Sequence, residues 1–392
     1  MSRLLCFLLI IYFNTVAAKH LDISVNAESA ILINADTGVV LYEKNAHNPE
    51  YPASITKVGT ALYALHLKGN QLDAMVTAEQ ESVASISEAA IMRSKYTLPS
   101  YWVEQGSSHI GIKKGEELSF RDLLYGMLVP SANDAANVVA QHVSGTIPDF
   151  VSGMNAYLKQ IGCLHTTFHN PHGLHHPDHK TTAYDMALMT KRALKNPAFC
   201  EIVSTVRCVR PKTNKQESST MVQTNKLIRT GRFFYPKAIG VKTGSTSPAL
   251  NTFIGAARHE GRTLIAVLLK TKERSDIFTD SVKLFEEAFN EPKIKRTLVQ
   301  TGLQSYILNP EGSQKPIMTY AVEDVVVEYY PAEEPVLKSY LTWDEVTFPV
   351  IKDQRVGEIT IKTQTSALIK TIPLFAVEEV PSTWNFWIKS IF

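Results

Sequence analysis

The sequence predicts an α/β (α+β) fold in which helices flank one mostly antiparallel sheet, followed by a smaller all-β domain. Apolar runs at strand spacing occur near residues 29–42 and return at 238–269, whereas the runs between them repeat at helical spacing. After Pro292 the chain changes to short alternating segments such as GEITIKT, separated by turn residues. At 392 residues the chain is long enough for two folded units.

The elements of the first domain follow in chain order. Residues 29–42 predict a hairpin around an Asp-Thr-Gly turn, and residues 174–184 predict a polar loop. Helices are predicted at residues 52–67, 118–127, 134–143, 185–194 and 276–289. Strands are predicted at residues 238–242, 252–257 and 264–269. These patterns place the first domain at residues 19–293 and the β domain at 297–378.

The N-terminal end has the pattern of a secretory signal peptide at residues 1–18. Arg3 supplies positive charge, residues 4–13 are apolar, and Val16-Ala17-Ala18 supply the small residues of a cleavage site. The mature chain is therefore expected to begin at Lys19 and to act in the periplasm or at the outer face of the cytoplasmic membrane. A retained N-terminal anchor is the alternative.

The C-terminal end, residues 382–392, has the pattern of an amphipathic helix. Trp384, Trp387, Ile388 and Ile391 fall on one helical face. Eleven residues are too few to span a bilayer, so the pattern predicts an anchor that lies in the membrane surface. The alternative is a helix that docks on the β domain.

The net charge bears on nucleic acid as a partner, and the cysteine content leaves the disulfide pairing open. The 40 basic and 38 acidic residues give a net charge of +2, which argues against nucleic acid as the main partner. Outside the signal peptide the cysteines are Cys163, Cys200 and Cys208, so at least one is unpaired. Cys200 and Cys208 could form a disulfide, or all three could be small buried residues.

Ser54 and Lys57 are the first candidate catalytic residues. A spacing of three places the hydroxyl and the amine on one face of the predicted helix, within hydrogen-bonding reach. The other residues of that face are apolar, so the lysine loses hydration, its neutral form is favoured, and it can accept the serine proton. The pair alone is a weak signal, since a helix-capping serine and a surface lysine give the same pattern.

Two further motifs make the signal specific. Ser131-Ala132-Asn133 precedes the helix predicted at 134–143, and Lys242-Thr243-Gly244 ends the strand predicted at 238–242. Each one alone is typical of a helix cap or a turn. A Ser-Lys pair, then Ser-x-Asn, then Lys-Thr-Gly, in that order, is the motif set of the penicillin-recognising serine enzymes.

The sequence resembles the D-alanyl-D-alanine carboxypeptidase family, the low-molecular-mass penicillin-binding proteins. The resemblance is carried by PASITK, LVPSANDAAN, FHNPHGL, TTAYDMAL and GVKTGST in that order. It implies a β-lactamase/transpeptidase-like domain, removal of the terminal D-alanine from peptidoglycan stem peptides ending in D-Ala-D-Ala, and acylation by β-lactams. It implies neither a cofactor nor a metal.

The resemblance also implies roles for the catalytic residues. Ser54 would be the acylated nucleophile and Lys57 its base. Ser131 would pass a proton to the departing amine, Asn133 would hold the peptide and the lysine, and Lys242 would supply positive potential.

The same resemblance implies the substrate-binding residues. Thr243, with Gly244 and Ser245 after it, would line the substrate, and Thr243 would meet its terminal carboxylate together with Arg229. The oxyanion would be held by the backbone N–H groups of Ser54 and Ser245. Ser245 stands where well-known members of the family carry histidine, which leaves the deacylation rate and the pH profile open.

Three other functions are suggested by parts of the sequence. A β-lactamase would share the motifs, but no Glu-x-x-Leu-Asn loop of the class A enzymes occurs. A zinc peptidase is suggested by the histidines at positions 172, 175, 176 and 179, which lack a helical His-Glu-x-x-His. A non-catalytic wall-binding scaffold is opposed by the intact motifs.

Overall fold

A five-stranded antiparallel sheet organises the first of two units in the computed structural model, which describes residues 9–12, 21–364 and 366–383. This unit comprises His20–Asn290. The strands lie in the order Ala238–Thr246, Leu250–His259, Arg262–Thr271, Ser29–Asn34 and Val40–Lys44. The central strands are buried at nearly every residue, because both faces of the sheet are covered.

The helices of this unit within the described residues are α1 Thr56–Lys68, α2 Glu88–Arg93, α3 Phe120–Leu128, α4 Asn133–Ser144, α5 Ile147–Gln160, α6 Ala183–Ala193, α7 Pro197–Ser204 and α8 Asp276–Phe289. α1 is buried on most of its surface and packs against α4, α5 and α6. α6 and α8 pack on the strand Arg262–Thr271. α1 therefore runs through the core, where a polar side chain loses its hydration.

Local capping explains where several helices begin. Ser119, Thr146 and Thr182 each accept a hydrogen bond from the backbone N–H of an aspartate three residues later. An acidic residue in the first turn also complements the helix dipole. α7 begins at Pro197 after Asn196, whose side chain accepts two backbone N–H groups. These boundaries follow from short-range sequence.

The predicted helices and strands of this unit are confirmed, with two kinds of difference. The strand predicted at 238–242 continues to Thr246, so Lys242-Thr243-Gly244 lies inside it and not at its end. Helices α2, α5 and α7 were not predicted. Smaller pairs of strands, also not predicted, are Met75–Thr77 with Glu117–Ser119, Ser85–Ile86 with Val103–Glu104, and Arg207–Arg210 with Ser219–Val222. Short 3-10 turns lie at Ala53–Ile55 and Glu81–Val83.

The second unit runs from Glu291 onward and includes the strand Leu9–Tyr12. Its six-stranded sheet has the order Leu9–Tyr12, Leu337–Trp343, Arg355–Thr363, Leu368–Ala376, Ile317–Ala321 and Gly302–Leu308. Ile294–Val299 pairs separately with Val325–Tyr329, and a 3-10 turn lies at Pro331–Glu333. Strands such as Ile317–Ala321 alternate between buried and partly exposed residues, as the sequence predicted for an all-β unit.

The chain ends and cysteines complete the comparison with the sequence. Leu9–Tyr12 falls within the predicted signal peptide, whose other residues lie outside the described part of the chain, as do residues 384–392 of the predicted amphipathic helix. In the described part of the chain, no helix combines the length and hydropathy needed to cross a bilayer. Cys163, Cys200 and Cys208 are free thiols, and Cys163 is buried.

Candidate active site

The turn that carries Ser54 is held on both sides. Ala53–Ile55 form a 3-10 turn that leads directly into α1, and Ala53 has a φ of 51°. Such a φ is costly for a non-glycine residue and persists only where its surroundings enforce it. Thr56 Oγ1 donates to the Ala53 carbonyl at 2.8 Å, and Thr252 Oγ1 donates to the Pro52 carbonyl at 2.7 Å. The nucleophile candidate therefore sits on a fixed, strained turn.

Lys57 lies one turn after Ser54 with no exposed surface. Its Nζ is 3.0 Å from Ser54 Oγ, 2.6 Å from Asn133 Oδ1 and 2.8 Å from the His172 carbonyl oxygen. Burial, followed by the charge of Lys242, holds the pKa of Lys57 well below its usual range. A neutral amine has two N–H donors for the two carbonyl-type oxygens. Its lone pair is then left for the Ser54 hydroxyl.

The second motif lies between the two lysines. Ser131 Oγ accepts a hydrogen bond from Lys242 Nζ at 2.8 Å, and Ser131 has a φ of 73°. Asn133 accepts from Lys57, and its Nδ2 donates to Ser107 Oγ at 3.0 Å. Ser131 thus contacts Lys242, and Asn133 contacts Lys57. Ser107, which was not predicted as a site residue, holds the Asn133 side chain in place.

Lys242 is also fully buried. Its Nζ donates to the Thr243 carbonyl at 2.8 Å as well as to Ser131. Burial, followed by the charge of Arg274, lowers the pKa of Lys242 to about 7. Arg274 was not singled out from the sequence, because nothing local to it indicates proximity to the site.

Gly244 lies where no side chain would fit. A Cβ at this position would lie 2.8 Å from the Ser54 backbone nitrogen and 2.4 Å from Thr252 Oγ1. Only glycine lets the strand Ala238–Thr246 approach the Ser54 turn this closely. The next residue, Ser245, is exposed at this end of the strand. The oxyanion role of the Ser54 and Ser245 N–H groups stays a prediction.

Thr243 is hydrogen-bonded to the segment 223–224, which was not predicted to belong to the site. Thr243 Oγ1 donates to Thr224 Oγ1 at 2.8 Å, and Thr224 was not predicted as a site residue. Arg229 Nη1 donates to the carbonyl of Gln223, the residue before Thr224, at 3.1 Å. Arg229 and Thr243 are therefore both bound to the segment 223–224.

His172 and His179 are buried next to the site and form hydrogen bonds that hold its surroundings in place. The His172 ring lies between the Leu174 N–H and the Tyr101 carbonyl, and burial together with the Lys57 charge lowers its pKa to about 3. The His179 ring accepts the His169 N–H at 3.1 Å and lies 2.9 Å from Thr56 Oγ1. Both rings are buried, and both nitrogens of each ring already have a hydrogen-bonding partner. His172 and His179 are therefore not free to bind a catalytic zinc, which argues against the zinc peptidase alternative.

Comparison with known proteins agrees with the resemblance. A sequence model of the D-alanyl-D-alanine carboxypeptidase family matches residues 14–273. D-alanyl-D-alanine carboxypeptidase DacF of Bacillus subtilis is 30% identical over 362 residues, covering 92% of this chain and 87% of the relative.

Solved structures give the same result for the fold. The D-alanyl-D-alanine carboxypeptidase DacD of Francisella tularensis aligns over 95% of this chain and 97% of its own, with a TM-score of 0.60 at 22% identity. The D-alanyl-D-alanine carboxypeptidase of Mycobacterium tuberculosis aligns over 68% of this chain and 92% of its own, with a TM-score of 0.58 at 29% identity. The predicted family and fold class are confirmed: this chain belongs to the D-alanyl-D-alanine carboxypeptidase family.

Proposed function

We propose that this chain removes the terminal D-alanine from peptidoglycan stem pentapeptides through an acyl-enzyme on Ser54. One observation carries the proposal. A fully buried amine lies 3.0 Å from a serine hydroxyl, and its other two hydrogen-bonding partners are oxygens that can only accept. That arrangement favours a neutral Lys57 that takes the serine proton.

Acylation begins when Lys57 Nζ takes the proton of Ser54. Ser54 Oγ bonds to the carbonyl carbon between the two D-alanines, and the carbonyl oxygen becomes an oxyanion. The N–H groups of Ser54 and Ser245 stabilise that charge, and the strand held close to Ser54 by Gly244 supports this role. Preorganised donors of this kind contribute a few kcal/mol to lowering the barrier.

D-alanine leaves with a proton from Ser131, which Lys242 then replaces. When the C–N bond breaks, Ser131 donates its proton to the D-alanine amine and regains one from Lys242, whose Nζ is 2.8 Å away. Lys57 is then charged and Lys242 neutral. Water next takes the place of the amine, Ser131 and Lys242 accept its proton, and Lys57 returns a proton to Ser54 as the acyl bond breaks. Ser54, Lys57, Ser131 and Lys242 are then back in their starting protonation states, because the proton that left with D-alanine has been replaced by one from water.

The substrate carboxylate binds at Thr243. The Thr243 hydroxyl donates to Thr224, and Arg229 donates to the carbonyl of the preceding Gln223. Arg229, and Lys242 when it is charged, supply the positive potential for the carboxylate. A carboxypeptidase recognises the free carboxylate that lies one residue beyond the scissile bond. A longer peptide would place an uncharged stretch of chain against Thr243, Arg229 and Lys242, and these groups would lose their charged partner. β-Lactams place a carboxylate in the same position and acylate Ser54.

We also propose export and peripheral attachment to the membrane. Residues 1–18 carry the pattern of a signal peptide, and residues 382–392 that of an interfacial helix. Deleting 382–392 is expected to release the protein from membranes, with D-alanine release unchanged. Truncated protein that still sediments with vesicles would contradict this attachment.

A synthetic stem pentapeptide ending in D-Ala-D-Ala tests the activity. Incubation with the mature protein should give the tetrapeptide and free D-alanine, detected by mass spectrometry. The matched peptide ending in D-Ala-L-Ala should remain intact. Correctly folded protein that releases no D-alanine, or that turns over penicillin rapidly, would contradict the proposed function.

A further inference from the structure

His169, His176 and Asp178 form a second cluster of metal-ligating groups, separate from Ser54 and Lys57. Each offers one ligand atom, and these atoms all lie within 4.8 Å of one another. The two histidines are partly buried and the aspartate is exposed. We propose that this cluster binds one divalent transition-metal ion, of which zinc is the best match, and that the ion fastens the loop 169–179. The proposal is independent of the Ser54 chemistry.

The donor set selects the class of ion. Two imidazoles and one carboxylate are a common zinc set that leaves a fourth position for water. Imidazole also suits copper, nickel and cobalt, whereas calcium and magnesium prefer a shell of oxygens. The affinity order of divalent metals at such sites places copper and zinc above manganese and iron. Calcium and magnesium are therefore not expected to compete.

The two rings are already held together without an ion. The His169 and His176 rings stack with their centroids 4.1 Å apart and 14° between their planes.

Binding requires a small movement of side chains. Ligand nitrogens lie about 2.0–2.1 Å from zinc, which places neighbouring ligand atoms roughly 3–3.5 Å apart. The stacked rings must rotate so that one nitrogen of each points to the ion. Asp178 can follow, because 78% of its side chain is exposed.

The position of the cluster gives the ion a structural role. The His169 N–H donates to His179, whose other ring nitrogen lies 2.9 Å from Thr56 Oγ1 in the Ser54 turn. The same loop supplies the His172 carbonyl to Lys57 at 2.8 Å. An ion on the outer side of this loop would hold in place the segment that positions the base. It does not contact the reacting atoms, so acylation should not require it.

Metal titration of the full chain tests the proposal. The protein is purified with a tag that contains no histidine, treated with a chelator, and titrated with Zn²⁺ by calorimetry and with Co²⁺ by visible absorption. We expect one ion per chain, a Co²⁺ spectrum with nitrogen ligands, and a higher unfolding temperature with Zn²⁺. His176→Ala and Asp178→Asn should each weaken binding by about tenfold or more and remove the thermal shift.

His175→Ala is the matched control. His175 lies in the same loop, with its ring against Tyr51 and Tyr96, but it is outside the cluster. This variant should bind Zn²⁺ like the original protein. Circular dichroism of each metal-free variant separates loss of a ligand from loss of the fold. No saturable binding by the original protein, or equal loss in His175→Ala and His176→Ala, would overturn the site. Loss of acylation after chelation would overturn its structural role.

Discussion

The first unit buries several charged groups, whereas most ion pairs among the described residues of the second unit lie at the surface. Lys57, Lys242 and the Arg210–Glu116 pair are almost completely excluded from solvent. In the second unit, pairs such as Lys370–Glu323 are roughly half exposed, and the buried polar residues identified among its described residues are Thr319 and Ser339.

The buried charged groups of the first unit are of two kinds, a structural ion pair and two lysines of the candidate active site. A buried charge destabilises the fold unless it is paired or neutralised. Arg210 and Glu116 are paired, with an Nη1 to Oε1 distance of 3.2 Å. Among the described residues, the hydrogen-bonding partners of Lys57 and Lys242 are hydroxyl, amide and backbone carbonyl oxygens and not carboxylates, and both lysines have lowered pKa values. Strongly shifted lysines inside a cleft are typical of catalytic sites.

Ser54→Ala should have the largest effect. Removing the nucleophile leaves no atom to form the acyl bond, so labelling by a fluorescent penicillin and D-alanine release should both fall by at least about a thousandfold. Ser305→Ala, at an exposed serine of the second unit, should leave both rates unchanged. Labelling of the Ser54→Ala protein at the original rate would exclude Ser54 as the nucleophile.

Lys57→Ala should come next. Loss of a general base typically slows the step by about 10²–10⁴-fold, and the buried alanine would not replace the amine. The second-order rate of penicillin labelling measures this, with Lys352→Ala in the second unit as an exposed control. A decrease below tenfold would show that another group takes the Ser54 proton.

Arg210→Met and Lys370→Met compare the buried Arg210–Glu116 pair with the exposed Lys370–Glu323 pair. The change leaves the Glu116 carboxylate buried without its partner, and we expect a loss of about 3–5 kcal/mol in the free energy of unfolding. Lys370→Met should cost about 1 kcal/mol or less, because solvent screens the surface pair. Urea unfolding of both variants measures the difference. Equal losses would remove the distinction drawn between the two units.

Lys242→Arg should lower the maximal rate, because an arginine does not give up a proton to Ser131, and it should also shift the pH profile. With a pKa of about 7, Lys242 is charged below that pH and loses its charge above it. Acylation should therefore rise with pH as Lys57 becomes neutral and fall again above about pH 7. Arginine stays charged, so the falling limb should move to higher pH. Penicillin labelling between pH 5 and 10 measures this, and an unchanged falling limb would assign it to another group.

Much of the fold was predictable because its signals are local. The helix 276–289 was predicted with the bounds found, and α1, α3, α4 and α6 lie within a few residues of their predicted positions. The 3.6-residue periodicity and the capping residues carry that information. α5 and α7 were missed although Pro148 and Pro197 mark their first turns, a signal that was available.

The site was predictable as a set of motifs and less so as a set of contacts. Ser54, Lys57, Ser131, Asn133 and Lys242 were singled out and are brought together by the fold. Thr224, Ser107 and Arg274 were missed because they follow no motif and come close only through packing. The His172 carbonyl was missed for the same reason, since a backbone oxygen has no residue type to recognise.

The sequence by itself determined the alternation of helix and strand, the order of the three motifs and the pairing of Ser54 with Lys57 three residues away. Only the tertiary structure decided that Lys57 meets Asn133 and His172, which lie 76 and 115 residues further along the chain. It also decided that Lys242 is buried beside Ser131, 111 residues before it. Contacts within one turn follow from helical geometry, whereas distant contacts and the pKa shifts they cause depend on how the whole core packs.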